Sequence, residues 1–248
     1  MNGIFKLACA GAIVSAIAFA QPKPKSQKEV DALVAMQNAQ TADARITAAN
    51  DLLTKFADSD FKSFALQAIM QSYQQKQDGE NAIIYAEKLL EVDPKSYMAQ
   101  LTIAQTLAQK TREFDLDKEE KLGRAEKMAK AAQENIKTAQ KFNPAITDPQ
   151  WEGFKKDQMS ESYQAMGLIA LVRKKYDVAA TQFKASVDEA STPDPATMVR
   201  LGSAYLSAGK TTEALAVLDK VLAMPDLHPA IKQYATSEKQ KAQAAVKK

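Results

Sequence analysis

The chain has 248 residues, of which 46% are hydrophobic, with 33 Lys and Arg against 30 Asp and Glu and a formal charge of +3. So even a balance gives no electrostatic footprint for nucleic acid. A single histidine and a single cysteine cannot assemble the usual transition-metal or nucleophile sites, so no catalytic residue, metal or cofactor is expected.

Lys6 is followed by a run of 14 apolar and small residues, 7–20, broken only by Ser15. The run ends in Ala18-Phe19-Ala20, the small-x-small pattern after which signal peptidases cut. It is short for a hydrocarbon core of ~30 Å. Residues 1–20 are therefore expected to be a cleaved secretory signal rather than a retained anchor. The mature protein would then be exported, periplasmic or secreted in the bacterial manner, with no stable membrane insertion. Lys6 stands where a lipobox needs an apolar residue, so Cys9 is not expected to carry lipid. Cleavage would remove the only cysteine, and a chain of this size buries a core without disulfides.

Residues 21–27 read as a polar, proline-containing linker. From 28 to 248, prolines fall between apolar-periodic segments, and the segments carry apolar residues at i, i+3, i+4 and i+7. The chain is expected to be all-α, in five helical pairs. The first pair holds Ala32, Leu33 and Met36, then Ile46, Ala49, Leu52, Leu53 and Phe56. The second holds Leu66, Ile69, Met70 and Tyr73, then Ala82, Ala86, Leu89, Leu90 and Val92. The third opens with Ile103, Ala104 and Leu107; its partner, with Ala129, Ala132, Ile136, Ala139 and Phe142, is expected to close on Asn143-Pro144.

Between them lies an insertion near 109–120. Asp117 and Glu120 read there as a capping box. Phe114 and Leu116 must tuck back on the scaffold or meet a partner, and tucking back is the expectation. Trp151 and Phe154, at i and i+3, are expected to anchor an extended helix start.

The fourth and fifth pairs repeat each other. Tyr163, Met166, Gly167, Ala170, Tyr176, Ala179, Phe183 and Ser186 recur 35 residues later as Met198, Leu201, Gly202, Tyr205, Thr211, Ala214, Leu218 and Val221. A period in the thirties marks a stacked helical-pair repeat. A polar-faced capping helix is expected near 229–245. His228, directly before Pro229, reads as a cap-region residue.

These residues resemble the tetratricopeptide repeat, whose unit is W-x₂-L-G-x₂-Y, then A-x₃-F, then A and P. Tyr163-x₂-Met166-Gly167-x₂-Ala170 and Met198-x₂-Leu201-Gly202-x₂-Tyr205 fill the first-helix slots. Ala179-x₃-Phe183 and Ala214-x₃-Leu218 fill the second, and the stretch from Ala82 to Pro94 matches a second helix with its terminating Asp-Pro. The first pair departs, with Arg45 where a small alanine is expected.

The resemblance implies a right-handed superhelical solenoid whose concave face is lined by the first helix of each pair. By that alignment the face would carry Gln67, Gln71, Gln74, Gln75, Gln105, Gln109 and Gln164. Arg200 alone matches a slot with which some members of the family clamp a C-terminal carboxylate. Amides donate and accept, so such a row suits the backbone of an extended peptide; the same amides also simply keep a helix face soluble. The sequence leaves both open. It points to a non-catalytic scaffold for a protein or peptide partner. An envelope assembly factor, acting through its convex face and the 109–120 insertion, is the alternative, and an enzyme of unrecognised type the remote one.

Overall fold

The computed structural model describes residues 23–141 and 143–246; the expected signal segment and Phe142 lie outside the described residues. Eleven α-helices follow one another there: α1 (Gln27–Gln37), α2 (Ala42–Lys55), α3 (Lys62–Gln75), α4 (Gly79–Val92), α5 (Tyr97–Lys110), α6 (Lys118–Thr138), α7 (Asp148–Val172), α8 (Tyr176–Glu189), α9 (Pro195–Ser207), α10 (Thr211–Leu222) and α11 (Pro229–Val246). Each helix packs on its chain neighbours, so α1/α2 through α9/α10 form five pairs stacked in chain order, closed by α11 against α9 and α10. This is an all-helical solenoid, as the 3.6-residue periodicity requires.

Local chemistry sets the helix starts. Ser26, Thr41, Asp78, Ser96, Thr147 and Asp194 each accept a hydrogen bond from a backbone N–H of the first turn. These side chains satisfy donors that the helix leaves orphaned. Thr147 and Gln150 form a full capping box. His228 accepts from the Ala230 N–H at Nδ1, 3.3 Å away, and so caps the start of α11.

Three of the tight turns inside pairs share one backbone pattern. Gln77, Lys174 and Gly209 adopt φ of 58°, 58° and 76°. The next N–H, from Asp78, Lys175 and Lys210, donates to the carbonyl of Tyr73, Ala170 and Tyr205, each at 2.9 Å. That six-to-one bond closes a Schellman motif.

The core is built from small residues facing large ones. Ala179, Ala214, Phe183 and Leu218 are fully buried. A Cβ on Gly167 would lie 2.6 Å from the Phe183 ring, and one on Gly202 would lie 2.8 Å from Leu218 Cγ. Hydrogen replaces a methyl at both crossings, which lets the paired backbones approach.

The pairs are also tied edge to edge. Lys76 meets Asp43, and Lys210 meets Asp177 at 2.8 Å. In each case a lysine of the turn, or the residue beside it, reaches an aspartate in the first turn of the preceding pair's second helix. Arg173 pairs with Glu126 at 2.7 Å and Glu119 at 2.9 Å. Exposed pairs of this kind stabilise weakly one by one.

Three sequence expectations are corrected here. The Asp117 capping box does not form: Asp117 has φ −98° and ψ 16° and makes no side-chain cap. The extended backbone that would aim its carboxylate at the helix is missing, and the side chain pairs instead with Lys121 at 2.9 Å. Phe114 and Leu116 do not tuck back; Phe114 is 88% exposed and Leu116 fully so. α6 stops at Thr138, and Ala139 is already extended with ψ 135°, short of Asn143-Pro144. Within the expected linker, the Lys25 amide donates to Glu29 and its ammonium pairs with Asp58 at 3.2 Å.

Candidate functional site

Helical spacing draws three parallel stripes on the inner face. On α3, Phe64, Gln67, Gln71 and Gln74 stand at i, i+3, i+7 and i+10, while Leu66, Ile69 and Met70 turn into the core. On α5 the stripe is Met98, Thr102 and Gln105; on α7 it is Phe154, Gln158 and Glu161, both at i, i+4 and i+7. Side chains so spaced share one side of a helix. Every stripe therefore starts with a large apolar side chain and reaches a polar one two turns on.

Four adjoining cavities follow these stripes. The first, about 170 Å³, lies between α1 and α3 and is lined by Met36, Arg45, Phe64, Gln67 and Gln71 among others. The second, about 610 Å³, shares Phe64, Gln67 and Gln71 and adds Tyr97, Met98, Asn135 and Phe154. The third, about 400 Å³, shares Gln71, Met98 and Phe154 and adds Gln74, Thr102, Gln105, Gln158 and Glu161. The fourth, about 370 Å³, lies between α7 and α9 and joins the third through Glu161, with Asp157, Gln164, Asp194 and Thr197 along it. Together they make a groove that crosses the first helices from α1 to α9. Along this face α5 packs closely on α7, and α9 on α11.

Of the amides singled out from sequence, Gln67, Gln71, Gln74, Gln105 and Gln164 line these cavities. Gln105 donates to Glu161 at 3.2 Å, and Gln164 donates to the Thr197 hydroxyl. Gln75, Gln109 and Arg200 are not among the lining residues. Gln75 instead accepts from Arg45 at 3.5 Å, and the Gln109 carbonyl accepts from Arg112 at 3.4 Å. Arg45, the residue that departs from the small alanine of the repeat, also donates to the Ala39 carbonyl at 3.2 Å. It ties the connection between α1 and α2 to α3.

Sequence reasoning missed Phe64, Tyr97, Met98, Phe154 as a wall, and Glu161. The signal was available: continuing each stripe one turn toward the helix start reaches Phe64 and Met98. α7 is 25 residues long, nearly twice a repeat helix, so its groove-facing first half lies outside the repeat pattern. Trp151 is 5% exposed and stacks on Phe154 with ring centroids 5.4 Å apart. This anchors the extension as expected.

Two groups in the groove are shifted. Burial pushes the Tyr97 phenol up to about 12, so it remains a hydrogen-bond donor at any physiological pH. Glu161 is reached by water, yet the groove walls crowd it. This desolvation raises its carboxyl above the usual range, the Gln105 amide works against the rise, and Asp157 one turn away adds to it. The neighbouring carboxylates are occupied. Asp157 accepts from the Ser191 N–H and hydroxyl at 2.8 and 2.9 Å, and Asp194 caps α9. Among the described residues no group of three or more metal-ligating side chains converges, and no helix is long and apolar enough to cross a membrane.

Two segments of the chain, 67–96 and 195–225, match the tetratricopeptide repeat family model. The fold is similar to a crystal structure of a thermophilic tetratricopeptide repeat protein from Thermus thermophilus. The TM-score is 0.54 at 17% identity, over 85% of this chain and 95% of that one. No curated protein matches the sequence. Tetratricopeptide repeats mediate protein–protein contact in general, and the fold here is similar to theirs.

Proposed function

We propose that the chain is a non-catalytic, exported scaffold that holds a protein or peptide segment in the groove crossing α3, α5 and α7. The observation that carries this reading is the succession of adjoining cavities lined by amides, aromatic rings and thioethers. Such a lining can satisfy a peptide backbone and bury apolar side chains at once. Stacked pairs set the groove's shape beforehand, so little ordering cost falls on the scaffold.

A second reading has its own observation. Phe114 and Leu116 stand in solvent on the α5–α6 loop, and large apolar side chains held out in this way suit contact with another protein. Assembly through this loop would then replace groove binding.

Site-specific photo-crosslinking in the native host separates the two. A crosslinker in place of Gln71 is expected to capture the partner, and Gln67→Glu, Gln71→Glu and Gln105→Glu together to weaken capture from a groove position such as 158. Capture from position 116 alone, unchanged by the triple substitution, would replace groove binding with loop-mediated assembly. Export is supported by the apolar run ending in Ala18-Phe19-Ala20. The mature protein is expected to begin at Gln21 by N-terminal sequencing; retention of Met1 would overturn export by cleavage.

A further inference from the structure

The groove is divided along its width. Phe64, Met98 and Phe154 make one wall, extended by Tyr97, and Gln71, Gln105 and Glu161 make the other. On each helix the two walls are seven residues apart, about 10 Å along the axis. A chain laid across the helices in extended form points successive side chains to opposite sides. One set would meet the aromatic and thioether wall and the alternate set the polar wall.

The charges along the groove are uneven. Lys95 and Arg45 line its α1–α5 end, and among the described residues no lysine or arginine lines the two cavities that Glu161 joins. Asp157 and Asp194 are committed to backbone and hydroxyl donors of this chain, as described above. Glu161 has one neutral amide, from Gln105. A carboxylate in this setting gains most from a cation brought by a ligand, which is both a charge-assisted partner and relief for its crowded anionic form.

Building on the groove reading above, we infer that its occupant is an extended peptide alternating apolar and polar side chains, with a lysine or arginine on the polar row seated at Glu161. Apolar side chains lie against Phe64, Met98 and Phe154. The amides of Gln71 and Gln105 meet the backbone. Glu161 sets both the register of the peptide and its preference for a basic residue.

The test uses the mature chain and three blocked, fluorescein-labelled nonapeptides of alternating leucine and serine. One central serine is replaced by lysine, glutamine or glutamate, and binding is read by fluorescence anisotropy. The lysine peptide is expected to bind at least tenfold tighter than the other two. Glu161→Gln should remove that preference, bringing the lysine peptide down to the affinity of the glutamine peptide. Thermal melts serve as the folding control. Glu161 lies at an exposed position, and Glu161→Gln should melt close to the parent near neutral pH.

Equal binding of all three peptides, abolished by filling the groove with Gln71→Trp, would overturn the basic-residue preference and leave groove binding standing. Equal binding that survives Gln71→Trp, or no binding of any peptide, would overturn both. A lysine preference that survives Glu161→Gln would remove Glu161 as its source and overturn the inference.

Discussion

Two glycines placed in helices of the same stack have opposite meanings. Gly167 faces the Phe183 ring, with no room for a methyl group, whereas a Cβ on Gly123 in α6 would meet nothing within 4 Å. Gly167→Ala must push the ring or part the helices and is expected to cost about 1–3 kcal/mol. Gly123→Ala gains helix propensity without a clash and is expected to add about 0.5–1 kcal/mol. Denaturant melts of the two variants check the pair of signs. Equal effects would mean that α7 and α8 are not nested through the glycine. The sequence made Gly167 legible because its partner Gly202 recurs with the same neighbours 35 residues on. Glu161 had no such echo: what singles it out is its place between two cavities beside Gln105 of α5, which depends on residues far apart in the chain.

At the scale of helices, the first one shows how a marginal element is held. α1 has eleven residues and buries only Glu29, Leu33 and Met36. Glu29 accepts from the Ser59 hydroxyl and the Lys25 N–H, both at 2.5 Å, and these bonds hold its carboxyl below the usual carboxylate range. A lowered folded value means that the contribution is fully present above the unfolded value near 4.5. It is lost as pH falls through the folded value. Glu29→Gln is therefore expected to lower the melting temperature near neutral pH, with the difference closing in acid below the carboxylate range. A gap that persists there would assign the effect to packing alone.

The helix positions themselves were readable because apolar periodicity, caps and tight turns agree, as at α7, where Thr147, Pro149 and Gln150 all mark the start. The α5–α6 connection was less readable. Asp117 and Glu120 carry the letters of a capping box, but the turn ahead of them leaves Asp117 in a near-helical backbone, and letters alone do not report that angle. Phe114 and Leu116 were expected inside because apolar residues usually are. Here the loop of residues 111–117 is too short and too charged to fold over them.

Across the whole molecule, what matters is that each pair touches its neighbours in the stack and little else. Cores pass from pair to pair in the same way: Leu53 packs against the clusters on both sides of it, and Val187 and Val217 bridge the last two. Stability in such an array is close to a sum of local terms. The groove inherits its form from this chain of joints, each set by the packing of one pair on the next. A guest lying along α3, α5 and α7 spans two joints at once and would work as a splint, bracing a short spring whose pitch its packed links have already set.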